Sequence, residues 1–172
     1  IVAADLVPDI AILDPTIPAK MPPHVTVHTG MDVLTHAIEA YVSTAANSFT
    51  DPYAVEAMRL VFTYLEIAWR SPDDINARMH MHNASALAGI AFTNASLGLV
   101  HSMAHKIGGE FGITHGLANA IMLPYIIRYN AKFTKKYRQL EAALDINNLS
   151  EAINALNQRL GVPKTLSQCG EV

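Results

Sequence analysis

Only one stretch of this chain reads as a strand, and a strand without a partner cannot build a sheet. Asp9-Ile-Ala-Ile-Leu-Asp14 is a short apolar run between Pro8 and Pro15, the length and flanks of a buried strand. Nothing later in the chain matches it. The rest carries helix punctuation. Pro15 to Pro23 holds four prolines and reads as a linker. Thr29 is positioned to cap a helix over 30–45, with Asp32 as its capping-box acid. Asp51-Pro52 precedes the apolar-periodic run Tyr53 to Trp69, and Ser71-Pro-Asp-Asp74 opens a helix over about 73–95. A helix over about 98–108 is expected to end in Gly108-Gly-Glu-Phe-Gly112, where the chain can reverse. Thr114 then caps a helix from His115 to about Tyr129, kinked at Pro124, and Ser150 caps a last one ending at Gly161. The expected fold is mostly α: a helical bundle preceded by one strand-like segment.

Composition excludes several functions. The chain is 51% hydrophobic and 16% charged, which is enough apolar material to offset the entropy of ordering a core. Its net charge of -3 and the lack of a basic stretch argue against a nucleic-acid partner. A single cysteine, Cys169, excludes an internal disulfide framework and a thiolate zinc site. No leader-like segment or membrane-length apolar run stands out, so the expected setting is cytoplasmic, with no membrane partner.

The unusual feature is eight histidines in a lightly charged chain. Asp32 and His36 are four apart on one helix, and His101 and His105 repeat that spacing on another, so each pair lies one turn apart on one face. Alone, Asp32 and His36 read better as a capping acid and a solvated side chain. The face of the second pair, however, carries the small residues Ser102, Gly108 and Gly109 rather than Lys and Glu, and admits close approach of another element. His115 follows the glycine-rich reversal and can return over His101. One carboxylate and up to four imidazoles can therefore meet, a donor set suited to Fe(II), Zn(II), Co(II) or Ni(II). Glu39, one turn beyond His36, can hydrogen-bond it from outside the ligand shell. His80 and His82 are two apart and cannot chelate together, and His24 and His28 read as surface residues of the linker. No G-x-G-x-x-G, G-x-x-x-x-G-K-[ST] or G-x-S-x-G motif is present.

Three longer stretches resemble the motifs of the iron-containing (group III) alcohol dehydrogenases: Gly30-Met-Asp-Val-Leu-Thr-His-Ala-Ile-Glu-Ala-Tyr41, Gly89 through His105, and Thr114-His-Gly-Leu-Ala-Asn-Ala120 with Leu123-Pro124. The likeness covers nearly the whole chain. It implies metal ligands at Asp32, His36, His101 and His115. It places the family's further histidine, near metal and nicotinamide, at His105, and a phenylalanine of the substrate pocket at Phe92. It implies Fe(II), or Zn(II) or another divalent metal, and NAD or NADP in the full-length enzyme. Residues 1–28 are then expected to be the end of a dinucleotide-binding domain plus the Pro-rich linker, and 29–172 an all-helical metal-binding domain truncated at its C-terminus.

The implied reaction is reversible oxidation of a small alcohol to an aldehyde or ketone by hydride transfer, with the isolated chain expected to be inactive. Two other classes use the same residues. A metal-dependent hydrolase would need Glu39 or His105 as a base, and a non-catalytic helical module would hold its histidines as structural groups. A homo-oligomer is expected, because an unpaired apolar strand is a template for a second copy.

Overall fold

The structure, a computed structural model, describes residues 8–169. Among the described residues, seven α-helices make up the body: α1 (Pro23–Val42), α2 (Asp51–Arg70), α3 (Ile75–Ala95), α4 (Leu99–Phe111), α5 (His115–Asn130), α6 (Lys136–Leu144) and α7 (Leu149–Arg159). Short 3-10 turns precede α1 (Ile17–Lys20) and follow α7 (Leu166–Gln168). No strand occurs among the described residues. Residues 9–14 form irregular chain, and Ile10 and Ile12 project into solvent. The part of the expected N-terminal segment before Pro8 lies outside the described residues.

Helix α1 is the central element and packs against α2, α3 and α5. Met31, Leu34, Ala37, Ile38 and Ala40 are fully buried, against Ala54, Ala57, Met58, Val61 and Leu65 from α2 and Ala84, Ala88 and Ala91 from α3. The many alanines leave no long side chain to hold the helices apart. Gly30 of α1 faces the Leu65 side chain, and Gly116 of α5 lies against the main-chain carbonyl of His28, where any added Cβ would collide. This second contact lets α5 cross α1 closely. No single helix among the described residues is long and apolar enough to cross a membrane.

Several helix boundaries differ from the expected ones. Helix α1 starts at Pro23, not after Thr29. Proline suits the first helical position, where its missing N–H costs nothing. Thr29 sits inside the helix, and its hydroxyl donates to the Val25 carbonyl at 2.8 Å. His24 and His28 consequently belong to α1 rather than to a linker. Helix α4 continues through Gly108 and Gly109, and the reversal falls at Gly112, with φ of 65°. The last helix is capped by Asn148, whose side chain accepts from the Glu151 N–H, and it ends at Arg159. Ser150 lies within α7 and donates to the Pro124 carbonyl instead, at 3.1 Å. Helix α6 carries none of the expected punctuation, because no side chain caps its start.

Pro124 removes the donor that would satisfy the Ala120 carbonyl one turn earlier. Asn157 of α7 supplies the replacement: its Nδ2 donates to Ala120 O at 2.7 Å. The interruption in α5 thus becomes a docking point for α7.

Candidate metal centre

Asp32 and His36 project from the middle of α1, His101 from the first turns of α4, and His115 from the start of α5. Asp32, His101 and His115 bring one ligand atom each within 4.8 Å of one another. Asp32 Oδ1 lies 3.5 Å from His101 Nε2 and 3.4 Å from His115 Nε2. His36 stands beside this group: its ring centre is 4.1 Å from that of His101, and its Nδ1 is 3.5 Å from Asp32 Oδ1. His36 Nδ1 donates to the Asp32 main-chain carbonyl at 2.8 Å, which leaves Nε2 with the free lone pair. One hard oxygen and imidazole nitrogens, with no sulfur, form a donor set that suits a first-row divalent cation. The residues present therefore fit such an ion.

Glu39 sits where α1 meets α4 and is 4% exposed. Its carboxylate accepts from the Gly98 N–H at 2.9 Å, the Val100 N–H at 2.7 Å and His101 Nδ1 at 2.7 Å. Helix α4 has no side-chain cap of its own, so this distant carboxylate satisfies its first amides. The same carboxylate turns His101 so that Nε2 faces Asp32. The spacing alone sets Glu39 within reach of His36, at a position more often exposed; the structure buries it against His101, because residue 39 lies on the side of α1 that α4 approaches. Gly98 is needed there, since a Cβ would meet Glu39 Oε1.

The buried charges respond to one another. Burial opposes a charge on His101, but its bonds to Asp32 and Glu39 outweigh that and raise the imidazole to about 9. Burial would raise Asp32 as well, yet the His101 bond and the neighbouring imidazoles hold it below the ordinary carboxylate range. Glu39 is likewise held low against its burial by His101 and the α4 amides. His36 and His115 lie below the usual imidazole value, chiefly through burial.

His105 is exposed on α4 and stacks on His115, with ring centres 4.9 Å apart and planes at 17°. Phe92 of α3 is half-buried against His36, with ring centres 4.5 Å apart. His28 bonds Thr114 across the α1–α5 crossing, Nδ1 to Oγ1 at 2.9 Å. His80 stacks on Tyr64, away from the site, at 4.0 Å. Sequence reasoning did not single out Asn119, one turn after His115 on α5. It is fully buried, and its Nδ2 donates to Asp32 Oδ1 at 2.6 Å. Its four-residue spacing from His115 was the available signal.

Among the described residues, three helices thus gather Asp32, His101 and His115, with His36 beside them, into a group that could hold a metal ion. Residues 26–171 match the Fe-containing alcohol dehydrogenase family, C-terminal region, and the chain belongs to that family. It is 47% identical over 171 residues to the 1-propanol dehydrogenase PduQ of Citrobacter freundii, across 95% of this chain and 46% of that protein. Identity to the NADPH-dependent butanol dehydrogenase of Clostridium saccharobutylicum is 44% over 176 residues, 96% of this chain and 45% of that protein. The iron-containing alcohol dehydrogenase of Thermococcus thioreducens superposes with a TM-score of 0.93 at 40% identity, covering 100% of this chain and 46% of that one. The chain spans about half the length of the curated relatives it matches.

Proposed function

We propose that this chain is the metal-holding part of an NAD(P)-linked alcohol dehydrogenase acting on a small alcohol and its aldehyde or ketone, in the cytoplasm. The observation that carries this is the convergence of Asp32, His101 and His115. With His36 they would hold one divalent cation, Fe(II) or Zn(II). On this reading residues 1–22, rather than 1–28, close a dinucleotide-binding domain, because α1 opens the helical metal domain at Pro23.

When bound, the metal supplies Lewis acidity toward an alcohol oxygen, and the nicotinamide supplies the hydride acceptor. The chain's own residues prepare the site. Glu39 fixes His101 and the N-terminus of α4. Phe92, against His36, offers an apolar wall for a short alkyl group. His105 is exposed beside His115, where it can pass a proton from its imidazole to solvent or seat a nicotinamide ring. The relatives named above are, by name, a 1-propanol and a butanol dehydrogenase, which supports a short alcohol as the substrate class. Hydrolysis is less well supported, because Glu39, one of its two candidate bases, has its carboxylate committed to His101 and the α4 amides.

The test is the protein encoded by the whole reading frame around this sequence, loaded with Fe(II) or Zn(II). It should oxidise 1-propanol with reduction of NAD or NADP, followed by nicotinamide absorbance. The 172-residue chain alone should show no such turnover, because hydride donor and acceptor are not held together. A metal-loaded whole protein without nicotinamide-linked turnover would overturn the reading.

A further inference from the structure

We infer that Asn119 is a positioning residue of the metal centre, a hydrogen-bond hook that holds the donor set in register before any cation enters. The inference rests on the ligand assignment above and deepens it. Asn119 is fully buried one turn beyond His115 on α5. Its Nδ2 lies 2.6 Å from Asp32 Oδ1, 3.1 Å from His115 Nε2 and 3.4 Å from His101 Nε2. One amide nitrogen therefore reaches a ligand atom from each of α1, α4 and α5.

The amide's orientation carries the argument. Asn119 Oδ1 is buried and has no partner. A buried carbonyl oxygen is costly to leave unpaired, so turning the nitrogen inward must be worth more than pairing the oxygen. The reason is the charge pattern of the donor set. Asp32 Oδ1 and His115 Nε2 lie 3.4 Å apart, and with no cation between them their lone pairs repel. The two hydrogens of Nδ2 answer this, one to Asp32 Oδ1 and the other to His115 Nε2. The reverse orientation would set Oδ1 against the Asp32 carboxylate.

The two bonds then have different fates. The bond to His115 uses the lone pair that a cation needs, and is surrendered on metal binding. The bond to Asp32 leaves the carboxylate other lone pairs and persists, fixing which way the carboxylate faces. Asn119 thus acts in both states, as a placeholder in the empty site and as an orienting donor in the filled one. Alanine would lose both roles. Aspartate keeps the shape but lacks the donor, and adds a negative charge beside Asp32.

The experiment uses the full chain with Co(II), whose visible absorption reports ligand geometry. Asn119→Ala is expected to fold, by circular dichroism, and to bind Co(II) roughly 10- to 100-fold more weakly with an altered visible band. Asn119→Asp is expected to melt at a lower temperature than wild type without metal, and to gain more than wild type on adding Co(II), because the cation relieves the added repulsion. Wild-type affinity and an unchanged band in both variants would overturn the role of Asn119 while leaving the ligand assignment standing. A wild-type chain that takes up no Co(II) would overturn the assignment and this inference together. If Asn119→Ala does not fold, Asn119→Asp decides: a metal-free melting temperature equal to wild type refutes the hook.

Discussion

His101 and His115 sit on different helices, so their shared position beside Asp32 exists only in the folded chain. Replacing either with Ala should abolish stoichiometric Fe(II) or Zn(II) binding, measured by metal analysis after dialysis. Unchanged metal content in both variants would refute the assignment. His36 is a sharper test, because it flanks the three-residue group: His36→Ala should weaken binding while leaving Asp32, His101 and His115 to compete for the ion. Asp32 and His36 are legible as a pair because a four-residue spacing is a local property of a helix. His115, by contrast, is reached only through the reversal after α4, and His105, spaced four from His101, stays outside the three-residue group. The partners of those donors were not legible. Glu39 faces His101, 62 residues away, and Asn119 faces Asp32, 87 residues away, and both pairings depend on how the helices cross.

At the scale of elements, the crossing of α1 and α5 sets the distance between Asp32 and His115. Gly116 permits that crossing, and its would-be Cβ meets backbone rather than a flexible side chain. Gly116→Ala should therefore destabilise the chain by about 1–3 kcal/mol, the usual cost of overpacking, and weaken metal binding. Equilibrium urea unfolding and a metal titration check both parts; a variant with wild-type values in each would show that the helices adjust freely. Asn157 offers an independent test at α7. Asn157→Ala leaves the Ala120 carbonyl buried and unpaired, at a cost of about 1–3 kcal/mol. A loss too small to measure would mean that the carbonyl finds another donor. Helix existence was easy to read where a cap or proline marks the start, as at Asp51-Pro52 and Asp74. Thr29 is a misleading cap signal because its hydroxyl bonds back within α1, and α6 is unmarked in the sequence because it starts at Lys136 without a capping side chain. In both cases packing against neighbouring helices, which local sequence does not display, decides the boundary.

At the scale of the whole molecule, the metal centre and the N-terminal segment make opposite demands. The centre is gathered from α1, α4 and α5, with His101 buried and Asp32 and His115 partly open to solvent. The segment before α1 buries little: Ile10 is 80% exposed, Ile12 86% and Ile17 77%. Its apolar, strand-like composition nonetheless remains, bounded by Pro8 and Pro15. Apolar side chains held in water favour any arrangement that removes them from it. The arrangement available in a pure sample is a second copy, in which two such segments pair along their free backbone groups and cover each other's isoleucines. With two-fold symmetry the pair would be antiparallel and isologous. The 172-residue chain is therefore expected to sediment as a dimer or larger assembly, and the same chain without residues 1–20 as a monomer. Because α1 begins at Pro23, the deletion spares the helical body, and both forms should bind metal alike. Equal sedimentation of the two forms at high concentration would remove the segment as the cause of association.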